Sequence, residues 1–178
     1  MRKVNEVITA LIMILFVAHG VLGAFQMIGV GGTAHKVIAQ AAFILVVVHA
    51  LVGFKLTMDS WKVQRKTGVS YRKENRLYSA RRISGFAILI LLVFHMTAFT
   101  TKVDGATRLV HFDAFRLACQ ILLVLAILVH VISNAKPMLI SFGIRSLRER
   151  VFDILFVISV LLLFMAFAFV IYYLRWRV

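Results

Sequence analysis

Four of the six histidines stand inside long apolar segments of the chain, each in a different segment. They are His19, His49, His95 and His130. An imidazole in hydrocarbon needs a hydrogen-bonding or metal partner, so an ionisable side chain at membrane depth indicates a functional site. A single histidine of this kind packs between helices at least as often as it forms a functional site. Because imidazole is also the commonest metal ligand, four histidines in four segments predict metal ligation between helices.

The composition places these segments in a membrane. Of 178 residues, 62% are hydrophobic and 16% are charged, and the mean hydropathy is +0.94. This charge is too little to cover a water-soluble domain of that size. Apolar stretches of about 20 residues, enough to cross a bilayer, occur at 7–27, 34–56, 83–101, 112–135 and 154–174. The sequence predicts an all-α, five-helix transmembrane bundle, with residues 1–178 as a single membrane domain.

The basic residues indicate the orientation of the helices. Fifteen of the 21 lysines and arginines lie at the N-terminus and in the loops after the second and fourth stretches, and six lie on the other side. By the positive-inside rule, the N-terminus is cytoplasmic and the C-terminus outside, in a multi-pass protein of the inner (cytoplasmic) membrane. The net charge of +14 is explained by topology, so we expect lipid and no nucleic acid as a partner.

The depths of the histidines sort them into two pairs. Counting about 1.5 Å per residue from the expected cytoplasmic helix ends, His19 and His95 lie roughly 20 Å from the inner surface. By the same rise, His49 and His130 lie roughly 11 to 12 Å from it. Two histidines at one depth on different helices can hold a haem iron from opposite sides. Two depths predict two stacked b haems, whereas zinc and non-haem iron sites usually gather ligands at one centre.

Small and basic residues near the histidines fit a large flat ligand. Gly23 and Gly53 each follow a histidine by four residues, on the same helical face, where a macrocycle could lie against the backbone. Helix packing through small residues explains these glycines equally well. Lys55 and Lys136 each follow a histidine by six residues and could neutralise haem propionates, although lysines at helix ends commonly reach for the interface.

The same spacing forms a weak internal repeat. The segment from His49 to Lys55 parallels the segment from His130 to Lys136. This repeat predicts two helical hairpins plus a fifth helix, which contains no histidine and is expected to cover the bundle or border a quinone pocket.

Two short motifs resemble those of a known family. The segment from Arg81 to Gly85, followed after nine residues by His95, resembles the Arg-x-Ser/Thr-Gly motif and histidine of the cytochrome b membrane anchors of succinate dehydrogenases and fumarate reductases. The segment His49-x-x-x-Gly53-x-Lys55 is similar to their second motif, with lysine in place of arginine. With five spans and histidines in the first four, the chain resembles the single-subunit, two-haem class over nearly its whole length.

The resemblance implies a ligand set and partners. The implied residues are His19 and His95 as ligands of a distal haem, His49 and His130 as ligands of a proximal haem, and Arg81, Arg82 and Ser84 as polar or propionate contacts near the inner end. The implied partners are a flavoprotein subunit and an iron-sulphur subunit on the cytoplasmic face. Electrons would pass between the iron-sulphur subunit, the two haems and a membrane quinone, menaquinone or ubiquinone. Substrate chemistry would belong to the partners, because this chain has no nucleophile, phosphate loop or carboxylate pair.

The chain departs from the family pattern at three places. Ile8-Thr9 stands where a Ser/Thr-Gly pair is usual before the first histidine, and Tyr78 replaces a serine. Leu128 stands where some members have an acidic residue, so a transmembrane proton path through this position is not expected.

A quinone site is expected near the outer ends of the second and fourth spans. His35, His111 and Asp113 lie there and could supply the hydrogen bonds and proton exchange that quinone chemistry needs. Histidines that merely lie at the membrane interface are the alternative.

Two other functions fit parts of the pattern. A two-haem b subunit could serve another quinone-linked dehydrogenase, such as a hydrogenase or a formate dehydrogenase, although the Arg-x-Ser-Gly motif argues against it. A haem-free structural or transport bundle could use its histidines only to bridge helices. Since all seven acidic residues lie at span ends or in loops, an ion-coupled transporter is disfavoured.

Overall fold

The fold was examined in a computed structural model, which describes residues 2–30, 35–68, 76–103, 106–143 and 147–176. The elements in these ranges are α1 (Arg2–Met27), α2 (His35–Thr67), α3 (Arg76–Thr97), β1 (Thr100–Val103), β2 (Ala106–Leu109), α4 (Ala114–Ser141) and α5 (Leu147–Trp176). Each of the five described helices is long and apolar enough to cross a membrane. The predicted five-helix bundle is confirmed for this part of the chain, which is a multi-pass membrane protein.

The helices extend beyond the apolar stretches from which they were predicted. α2 has 33 residues, about 50 Å of helix, whereas the hydrocarbon of a bilayer is about 30 Å thick. Its last turn carries Arg65 and Lys66, where cations interact favourably with the exposed carbonyls of a helix end. α4 passes through Pro137 and ends at Ser141.

A short β-hairpin connects α3 to α4. α3 ends at Thr97 instead of reaching residue 101, and β1 pairs with β2 in antiparallel register, with Thr100 opposite Leu109 and Val103 opposite Ala106. Residues 104 and 105 between the strands lie outside the described residues. Hydropathy predicts helices in lipid and carries no signal for this hairpin.

The helices alternate in direction across the membrane. Thr9, in the first third of α1, contacts His49 near the middle of α2, and His95, late in α3, contacts Gln120 early in α4. We call the side where α1, α3 and α5 begin the N-side and the opposite side the C-side.

The described helices are arranged as two hairpins joined by the fifth helix. α1 packs along α2 in the first hairpin, α3 packs along α4 in the second, and α5 packs against α1 and α4. The backbones of the two hairpins approach each other at only a few described positions. α5, which packs against both α1 and α4, holds the hairpins together.

The buried core lies where α5 meets its neighbours. Its central residues are Val124, Ile158, Leu162, Met165 and Phe169. By contrast, none of the apolar window of α2 is buried. Tight packing along α5 thus fixes α1 and α4, and leaves the faces of α2 available to lipid or to a ligand.

Replacing Gly20 with leucine is expected to destabilise the contact between α1 and α5 by about 1 to 3 kcal/mol, the usual cost of overpacking. A Cβ at Gly20 would overlap the side chain of Met165. Thermal unfolding in detergent should show the loss. Met165→Ala in the same chain should restore much of the stability, and an equal loss with and without Met165 would contradict this packing.

Candidate metal centre

The first pair of histidines meets between the two hairpins near the C-side. The ring centroids of His19 and His95 are 6.0 Å apart and their planes are inclined by 87°. A metal held between two imidazoles at about 2.0 Å from each nitrogen would separate the centroids by roughly 6 Å. The same distance also falls within the range of ordinary edge-to-face ring contacts. The centroid separation therefore matches both a metal held between two imidazoles and an ordinary ring contact.

His95 is held from the neighbouring helix by a glutamine. Its Nδ1 lies 2.7 Å from Oε1 of Gln120, and Gln120 is fully buried. An amide oxygen only accepts hydrogen bonds, so Nδ1 carries the proton and Nε2 has a free lone pair. In this tautomer Nε2 can bind a metal while Nδ1–H is bonded to a protein oxygen.

Aromatic rings enclose the same histidine. The ring centroids of Phe99 and Phe169 are 5.8 and 6.3 Å from that of His95, both nearly perpendicular to it. Phe99 in turn stacks on Phe112 at 5.4 Å and meets the edge of Tyr172 at 5.5 Å. Since Phe169 and Tyr172 lie on α5, the helix without a histidine shields this pair.

His130 is held on the N-side by the Ser84-Gly85 pair of α3. The Nδ1 of His130 lies 3.2 Å from Oγ of Ser84, whose own proton is donated to the carbonyl of Ala80 at 2.6 Å. A Cβ at Gly85 would lie 3.5 Å from Cε1 of His130. The serine oxygen therefore accepts a hydrogen bond from the imidazole, and the glycine lets the ring lie against the α3 backbone.

Thr9 makes the corresponding contact to His49 in the first hairpin. Its Oγ1 lies 3.5 Å from Nδ1 of His49, at the outer limit of a hydrogen bond, and donates to the carbonyl of Asn5 at 2.7 Å. The departure from the family motif at Ile8-Thr9 therefore does not remove the hydroxyl group. The threonine provides it one position later.

The N-side contacts lie about three helical turns from the C-side pair. Thr9 precedes His19 by ten residues, about 15 Å of helix, and Ser84 precedes His95 by eleven, about 16 Å. His49 and His130 are close enough to interact electrostatically. His19 and His95 come from different hairpins, as do His49 and His130. Among the described residues, no three histidine, cysteine, aspartate or glutamate side chains cluster as a metal site.

A partly buried arginine borders the N-side pair. Nη1 of Arg82 donates to the carbonyl of Gly53 at 3.0 Å, and its guanidinium lies 4.8 Å from the ring centre of Tyr78. The Nε of Arg82 is buried and has no hydrogen-bond partner among the described residues. Arg81 bonds through Nε to the Leu77 carbonyl at 3.1 Å. The Arg82 guanidinium, which has one N–H donor unused among the described residues, therefore lies beside the N-side histidines.

The two lysines and the two glycines near the histidines differ in their surroundings. Lys55 and Lys136 are exposed on the N-side. Beyond the adjacent residues and the surrounding helical backbone, no described atom lies within 4 Å of a Cβ built on Gly23 or Gly53. Open space at both glycines does not fit close helix packing, and it leaves room for a ligand against the backbone.

The residues considered for a quinone site do not come together as a set. His35 begins α2, and its side chain lies outside the described residues. His111 is exposed before α4. Asp113 borders a groove of about 360 Å³ between α3 and α4. The groove is lined by Phe94, Thr97, Asp113, Phe115, Arg116 and Cys119.

Asp113 has a structural role at the start of α4. Its carboxylate accepts from the backbone N–H of Arg116 at 2.8 Å and forms a salt bridge with the Arg116 guanidinium at 2.7 Å. The backbone hydrogen bond, and then the Arg116 charge, hold the pKa of Asp113 below its usual value. The group therefore stays ionised as the helix cap, and proton exchange with a quinone would have to break this bond.

Comparison with known proteins identifies no relative. No protein-family model, curated protein or solved structure matches the chain. The functional interpretation therefore depends on the residues themselves.

Gln120 and Thr9 were not predicted as site residues from the sequence. A signal for Gln120 was present, because an amide inside the apolar stretch 112–135 needs a partner in lipid. The partner could not be named, since it lies on another helix.

Proposed function

We propose that the chain is a two-haem cytochrome b membrane anchor of a succinate dehydrogenase or fumarate reductase. In this proposal, His19 with His95 and His49 with His130 each hold one haem b. The chain would pass electrons between a cytoplasmic flavoprotein and iron-sulphur module and a membrane quinone. The observation that carries the proposal is the approach of His19 and His95 from opposite hairpins, with ring centroids 6.0 Å apart.

The residues present fit a haem at both levels. Three of the four imidazoles have Nδ1 beside a side-chain oxygen of the neighbouring helix, those of Thr9, Ser84 and Gln120. Each of these contacts is made within one hairpin, and in His95 the Nδ1–H tautomer leaves Nε2 available to a metal.

The charge distribution also supports the proposal. Haem carries two propionates, which need cationic or hydrogen-bonding partners. On the N-side, Arg82 has a buried donor without a described partner, and its charge and that of Arg81 act on His130. In the expected orientation this is the cytoplasmic end. Arg82 is therefore the residue that we expect to bind a propionate of the proximal haem.

The bound haems would supply reversible one-electron chemistry, with potentials set by ligands, hydrogen bonds and burial. The residues of the chain fix the imidazoles, neutralise the propionates and exclude water. Phe99, Phe112 and Tyr172 form the apolar cover on the C-side. The exposed basic residues of the N-side would face the soluble partners, on which succinate chemistry takes place.

Isolation of the complex tests the partners. Affinity purification of the chain from its native membrane should recover a flavoprotein and an iron-sulphur protein, with succinate oxidation or fumarate reduction coupled to quinone. Recovery of hydrogenase or formate dehydrogenase subunits would support the other two-haem function instead. Recovery of a colourless chain would favour the bundle whose histidines only bridge helices.

Alanine at Gly53 is expected to lower retention of the proximal haem without destabilising the haem-depleted chain. The added Cβ meets no described atom, and alanine is favoured over glycine in a helix by about 1 kcal/mol. Haem per chain and thermal unfolding measure the two effects. Gly23→Ala is the matched variant and should affect the distal haem. Unchanged haem content in both variants would show that neither glycine contacts a haem.

A further inference from the structure

The hydrogen bond between His95 and Gln120 is shorter than the side-chain contacts at His130 and His49. It spans 2.7 Å, against 3.2 Å at His130 and 3.5 Å at His49. Its acceptor is an amide oxygen, whereas the others are hydroxyls that also donate to backbone carbonyls. The four imidazoles are therefore not equivalent.

Packing does not explain why an amide occupies position 120. Gln120 is fully buried, and its helix neighbours Cys119, Leu123 and Val124 are buried and apolar. Its Nε2 is buried without a hydrogen-bond partner among the described residues. A buried amide with an unused donor costs free energy, and a leucine of similar volume would bury favourably at this place. The bond to His95 is the interaction that offsets this cost.

We infer that Gln120 is a positioning residue for the C-side metal centre. It fixes the Nδ1–H tautomer and the orientation of His95, and it increases the electron donation of Nε2 to the metal. This inference rests on the proposed function for the identity of the metal group. A hydrogen bond from Nδ1–H makes the ligand more basic, which stabilises the oxidised metal and lowers the reduction potential of that centre alone.

Redox titration of the purified wild-type and variant chains tests the inference. In Gln120→Leu, the component that His95→Ala removes should shift to higher potential, and the affinity for that haem should fall roughly 10- to 100-fold. Gln120→Glu keeps an acceptor oxygen and should restore haem affinity. Ser84→Ala is the matched control, because it removes the acceptor of His130 and should move the other component only. If Gln120→Leu moves neither component, or both equally, the inference is wrong.

A second measurement needs no haem. In the haem-depleted chain, ¹⁵N NMR of the histidine side chains should show His95 as the Nδ1–H tautomer in the wild type and a mixture in Gln120→Leu. An unchanged tautomer would overturn the inference even if both haems are present. A wild-type chain without haem would instead overturn the proposed function, while the NMR result would still decide whether Gln120 fixes His95.

Discussion

Replacing His95 with alanine is expected to remove one of the two haems, so that the purified chain carries about one haem instead of two. The variant removes one of the two histidines proposed to hold the C-side haem and leaves the N-side histidines and their hydrogen-bond partners intact. His19→Ala should remove the same spectral component, because the two rings approach each other at 6.0 Å. Haem quantification together with reduced-minus-oxidised spectra measures the effect.

His111→Ala is the control for this prediction. His111 is exposed and precedes α4, so its replacement should leave both haems in place. Circular dichroism of each variant separates loss of a ligand from loss of the fold. If His19→Ala and His95→Ala remove different components, these residues do not form a pair.

Replacing His130 with alanine is expected to remove the other haem. His130 is held by Ser84 and Gly85, about three turns from the C-side pair, so its loss leaves His95 and Gln120 undisturbed. His49→Ala should give the same spectrum as His130→Ala. The spectra of the His95 and His130 variants should then add up to that of the wild type.

The pairing would be contradicted by a mixed result. If His49→Ala and His95→Ala removed the same component, the haems would be held by histidines of different levels. Retention of both haems in His130→Ala would exclude this residue as a ligand. Arg82→Gln is a further variant with a smaller expected effect. It keeps the N-side histidines and should only weaken retention of the haem that they are proposed to hold.

The number of helices could be predicted from the sequence because lipid demands long apolar segments. Their ends could not, because a helix continues into water where no residue breaks it. α2 runs on to Thr67 through polar residues, and α4 continues past Pro137. The hairpin between α3 and α4 was missed, although Asp104-Gly105 is a dipeptide typical of tight turns.

The common level of His19 and His95 could be estimated from the sequence because depth in a membrane is nearly proportional to residue number along a helix. His19 and His95 were assigned to one level by this rule and lie together. The partners on Nδ1 could not be derived, since a hydrogen bond between helices depends on their rotation. Thr9 and Gln120 acquire their roles only once the neighbouring helices are placed.

The absorption spectrum of the purified wild-type chain tests the central claim most directly. With haem quantified per chain, the reduced-minus-oxidised difference should show b-type bands and close to two haems. A chain that folds and remains colourless after expression with ample haem would contradict the claim, and the four histidines would then only connect helices.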